Sequence, residues 1–64
     1  MRITVFRRLM TDEFGAARAA TLSKDHLFSG LGGRTVEQAL AAGVPAKEIW
    51  QEVCAAFEIP AERR

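Results

Sequence analysis

Apolar residues recur at helical spacing near the start of the chain: Val5, Phe6, Leu9, Met10 and Phe14 fall on one side of a helical wheel, while Arg7, Arg8 and Thr11 face away. The pattern predicts a first helix from about Val5 to Phe14, capped by Thr4 and broken by Gly15. Glu13 is out of place in it, because its angle lies within the apolar stripe. The expected relief is that its carboxylate reaches water from the last turn. Ala16 to about Leu27 reads as a second helix, rich in alanine, with Leu22 its one large apolar residue before Leu27 and Phe28. Ser29 to Arg34 is a glycine-rich connector.

The next boundaries are written more sharply. Thr35 suits an N-cap, and Gln38, three residues on, can reach back to the cap's own N–H, which is the capping-box arrangement. A third helix, Val36 to Ala42, offers Val36, Ala39 and Leu40 to the core and ends at Gly43, where the left-handed conformation is cheap. Pro45 suits the first turn of a fourth helix, expected to run to about Phe57. On that helix Ile49, Trp50, Val53, Cys54 and Phe57 share one half with Ala46 and Ala56, and Lys47, Glu48, Gln51, Glu52 and Glu58 occupy the other. Ile59 and Pro60 close it, after which residues 61–64 are expected to fray. The expected fold is all-α: one domain over residues 1–64, a compact bundle of four short helices whose last two form a helix-turn-helix-like corner.

Composition narrows the function classes. A chain of 64 residues buries only about 60% of the surface its unfolded form exposes, so its stability margin is thin and a deep substrate cleft is not expected. The apolar share, 48%, sets it apart from disordered chains, although much of that share is alanine. One cysteine forms no internal disulfide, and one cysteine with one histidine does not close a zinc site, so no metal and no cofactor are expected. No apolar run suits a signal peptide or a membrane span, and the expected location is cytoplasmic. The net charge is +1, yet residues 1–34 carry six basic and three acidic side chains against three and five in residues 35–64. An anionic partner is therefore expected to meet the first half.

The run from Asp25-His26-Leu27 through Gly32-Gly33-Arg34-Thr35-Val36-Glu37-Gln38-Ala39-Leu40-Ala41-Ala42-Gly43-Val44, followed by Trp50 and Val53-Cys54, resembles a family of short actinobacterial proteins, domain of unknown function number 3046. Met1-Arg2-Ile3-Thr4 and Glu13-Phe14-Gly15 fit the same family, so the resemblance spans nearly the whole chain. It implies no activity and no site residues. Members often lie near recombination genes, which implies a link to DNA recombination or repair without a mechanism.

Several constellations invite chemistry. A helix-turn-helix reading places the fourth helix in a major groove with Lys47 and Gln51 as its readers, but Glu48, Glu52 and Glu58 on the same exposed half would repel phosphates. Arg2, Arg7, Arg8 and Arg18 form a second nucleic-acid candidate, a salt-sensitive and sequence-blind phosphate patch on the first two helices. Gly30 to Thr35 could cradle an anion on free N–H groups with Arg34, although it lacks the lysine and spacing of a nucleotide loop and reads better as a capped connector. Ser23 and His26 are three apart on a helix, yet Asp25 points about 100° away and does not orient the ring as a triad acid would. Cys54 on the apolar face is expected to be a buried inert thiol. The expectation is a non-enzymatic binding module that docks on a protein partner, or on itself, through apolar surface at Phe28, Leu31 and Trp50, since five aromatics are hard to hide in so short a chain. Weak nucleic-acid binding is the alternative.

Overall fold

Arg2 is extended (φ −81°, ψ 150°) and the chain turns helical at Ile3, so Thr4 lies inside the first helix and makes no cap; no side chain caps that end. The structure, a computed structural model, describes all residues from Met1 to Arg64. Its elements are α1 (Ile3–Phe14), α2 (Ala16–Asp25), a 3-10 turn at Ser29–Leu31, α3 (Val36–Ala41), α4 (Ala46–Ala56) and a closing 3-10 turn at Ala61–Arg63. The expected all-α bundle of four short helices is what the chain forms, within extents of 27 × 23 × 21 Å.

Gly15 alone separates α1 from α2. At φ +85° it donates its N–H to the Thr11 carbonyl (2.8 Å) and accepts from the Ala19 N–H (2.8 Å), serving as C-cap of one helix and N-cap of the next. The second helix stops at Asp25, two residues short of expectation, because His26 is extended. The chain there leads Phe28 into the core, where it is 2% exposed and its N–H donates to the Arg34 carbonyl across an isolated antiparallel bridge. Leu27 is left 61% exposed.

The capping box at α3 forms in full: the Gln38 N–H donates to Thr35 Oγ1 (3.1 Å) and the Thr35 N–H donates to Gln38 Oε1 (3.0 Å). The helix ends one residue early, at Ala41. Gly43 donates to the Leu40 carbonyl and Val44 to the Ala39 carbonyl, which is the paired bonding of a Schellman motif. Pro45 is the N-cap of α4 rather than part of its first turn. α4 closes by the same motif, with Glu58 donating to Ala55 and Ile59 to Cys54, but here a glutamate holds the left-handed position (φ +53°).

Ile49, Trp50, Val53 and Cys54 of α4 are buried as expected and meet Phe6 and Met10 of α1, Val36 and Ala39 of α3, and Phe28, Leu31 and Ile59. Phe57 and Ala46 are partly buried, whereas Ala56 is exposed despite its place on the apolar half. Residues 61–64 do not hang free as expected. Arg63 Nε donates to Glu13 Oε1 (3.0 Å) and Arg64 Nε to the Ile59 carbonyl (2.8 Å). Glu13 thus resolves its own anomaly with a partner from the far end of the chain, and its side chain is only 18% exposed.

Candidate docking groove

All three residues expected to form an exposed apolar edge are core. Phe28 is 2% exposed, Leu31 7% and Trp50 3%, the last packed edge-on against Phe6 with ring centres 6.3 Å apart. The expected exposed edge is absent because the extended segment after α2 and the Ser29–Leu31 turn carry Phe28 and Leu31 into the core formed with Trp50 of α4. The large apolar residues that do reach solvent are Met1, Ile3 and Leu27.

The arginines disperse. Arg7 of α1 makes a two-pronged ion pair with Glu37 of α3, its Nη2 donating to Oε1 at 3.0 Å. The hydrogen bond from Arg7 holds the Glu37 carboxyl below the usual glutamate range, with attraction to Arg7 and Lys24 adding and partial burial opposing. Arg18 lies over the Phe14 ring, 5.8 Å from its centre. Arg2 and Arg8 are exposed and make no ion pair, and Lys47 and Gln51 sit on α4, lining a different concavity of about 280 Å³ with Met1 and Arg64 around the buried Trp50 and Cys54. Burial pushes the Cys54 thiol above its usual range; Arg64 opposes this and Glu13 adds to it.

The glycine-rich connector uses its donors internally. The N–H groups of Leu31, Gly32 and Gly33 go to the carbonyls of Phe28, Ser29 and Phe28, and that of Thr35 goes to Gln38, so four of the six donors from Gly30 to Thr35 are taken within the chain. Ser23 is buried while Asp25 and His26 are exposed, and no side-chain hydrogen bond joins them. The His26 ring instead rests against Phe28 and Phe57, at 4.5 and 5.2 Å between centres. No group of three His, Cys, Asp or Glu side chains converges, and no helix is long and apolar enough to cross a membrane.

What the fold does leave open is a groove between the Ser29–Leu31 turn and α4. Its wider part, about 500 Å³, is lined by Gly30, Leu31, Gly32 and Arg34 on one side and by Val44, Glu48, Gln51 and Glu52 on the other. A narrower part of about 230 Å³ shares Gly30 and Glu52 and continues along Ser29, Ala55 and Ala56 over Phe28. Glu48 and Glu52 are one helical turn apart, which sets both carboxylates on the same flank of α4. Neither carboxylate makes an ion pair, nor does Arg34. In the sequence alone these glutamates weigh only against DNA binding. The readable signal was that neither has a Lys or Arg three or four residues away on α4 to neutralise it.

These features define a small all-α protein whose largest concavity lies between a glycine-rich turn and its last α-helix. The chain belongs to the family described as Protein of unknown function (DUF3046), which matches residues 1–62. No curated protein and no solved structure matches it.

Proposed function

We propose that the protein is a non-catalytic docking module whose working surface is the groove between the Ser29–Leu31 turn and α4, occupied by a segment of a protein partner. The two concavities that adjoin along α4 at Gly30 and Glu52 carry the reading. Sites for small molecules are mostly apolar and enclosed. Here Leu31 and Val44 are the apolar members of the wider part, and the groove is open, a shape that suits a strip of polypeptide. The nucleic-acid alternative has less to draw on, because Arg7 is neutralised by Glu37 and Arg18 is engaged with Phe14.

The test is site-specific photo-crosslinking in native lysate, with the crosslinker at Ala55 in the groove or at Thr21 on the exposed side of α2. A discrete protein adduct from position 55, absent from position 21 and unchanged by nuclease, is the expected result. Equal labelling from both positions refutes the reading. Adducts that vanish with nuclease favour nucleic acid.

A further inference from the structure

We propose that the segment received by this groove is cationic: a lysine or arginine of the partner lodges between Glu48 and Glu52, with an apolar neighbour lying over the half-buried Val44. The inference rests on the docking reading above and adds the chemistry of the occupant. The groove holds two carboxylates and one guanidinium, all without ion-pair partners, so its net charge is negative although the chain as a whole is +1. Of the six other carboxylates, Glu13 and Glu37 are matched by an arginine from a distant segment, and Asp12, Asp25, Glu58 and Glu62 are unpaired but line none of the concavities. Glu48 and Glu52 are the pair on one helical face left unmatched beside a concavity. Arg34, on the opposite wall, gives the groove a polarity: it repels the partner's cation toward α4.

Gly30 makes room for this arrangement. A Cβ built at position 30 would fall on the Glu52 carboxylate, so the absent side chain is what lets Glu52 lie across the turn where the two parts of the groove join. Gly30 is not among the glycines with positive φ, so alanine there meets no backbone strain. The substitution Gly30→Ala therefore moves the carboxylate without deleting its charge. This separates the placement of Glu52 from bulk electrostatics.

The experiment is selection of a random twelve-residue peptide library on the intact protein, followed by amide shift mapping of the enriched peptides and by affinity measurements at low and moderate salt. Peptides carrying lysine or arginine beside an apolar residue are expected, shifting the amides of Gly30, Gln51 and Glu52. Affinity is expected to fall roughly tenfold in the Glu48→Gln, Glu52→Gln double variant and several-fold in Gly30→Ala. Circular dichroism and the unperturbed amides of α1 report that both variants remain folded. Enriched peptides that shift the same amides without a basic residue overturn the cation assignment and leave the docking reading standing. Peptides that map elsewhere, or a library that yields none, overturn both. Sedimentation showing that the chain self-associates through the groove, with the association abolished by Arg2→Glu and Arg8→Glu, replaces the foreign segment by a second copy and overturns the proposal as stated.

Discussion

Trp50 offers a contest between two opposed terms. It is 3% exposed, packs edge-on against Phe6, and its indole N–H is buried with no acceptor. Replacement by alanine removes the ring altogether, and such truncations cost about 3–5 kcal/mol. At roughly 0.05–0.15 kcal/mol per residue the whole domain has only about 3–10 kcal/mol to lose, so Trp50→Ala should abolish most or all of the cooperative transition. Phenylalanine is different. It forfeits about two methylene equivalents of burial, roughly 1.5 kcal/mol, but removes a buried donor whose lack of a partner costs about 1–3 kcal/mol. Trp50→Phe should therefore lie between about 0.5 kcal/mol less and about 1.5 kcal/mol more stable than the parent. The chain has one tryptophan and no tyrosine, so urea unfolding of these variants must be followed by far-ultraviolet circular dichroism. With a slope near 1 kcal/mol/M for so small a protein, the phenylalanine midpoint should fall by no more than about 0.5 M or rise by up to about 1.5 M. A loss of 3 kcal/mol or more on Trp50→Phe would refute the reasoning, showing that the indole N–H is satisfied in solution or that indole shape dominates the site.

Thr35→Ala should cost about 1 kcal/mol in the same assay and Thr35→Ser almost nothing, since serine restores the acceptor for the Gln38 N–H. Glu58→Gly should stabilise by about 0.5–1 kcal/mol, the left-handed strain relieved being partly offset by the greater freedom of an unfolded glycine; a loss would show that Glu58 makes contacts that outweigh its backbone. Glu37 has a depressed pKa, so the stability it lends is fully present above the ordinary glutamate value and is lost as pH falls through the lowered one. Acid titration of Glu37→Gln should lack that segment of the profile. The effect should be small and salt-sensitive, because the Glu37 side chain is 38% exposed. Cys54, buried with its thiol pushed upward, should resist a thiol reagent at neutral pH until urea unfolds the domain; prompt stoichiometric labelling of the native protein would contradict its burial.

Features fixed by neighbours three or four residues apart were legible from the sequence: the capping box of Thr35 and Gln38, the stop at Gly43, and the buried stripe of α4. Features fixed by distant partners were not. Nothing local to Glu13 announces Arg63, fifty positions on, and nothing local to Arg7 announces Glu37. The end of α2 was misplaced for the same reason, since Asp25 stops the helix in favour of a pairing between Phe28 and Arg34 that only the folded chain brings about. Thr4 has the chemistry of a cap, but the helix begins before it. The groove escaped notice because its walls come from two segments, and each alone reads as ordinary: a flexible connector and the wet side of an amphipathic helix.

Because α1 finds its apolar partner Trp50 and both its ion-pair partners far downstream, the order of synthesis matters. Elongation at about 5–20 residues per second puts roughly 2–9 seconds between the addition of Phe6 and that of Trp50. Until then Phe6 lacks the ring that packs edge-on against it, although Ala19 of α2 can already lie beside Met10. The first helix to be made is thus among the last to reach its final packing, because the residues that close over it are translated after it.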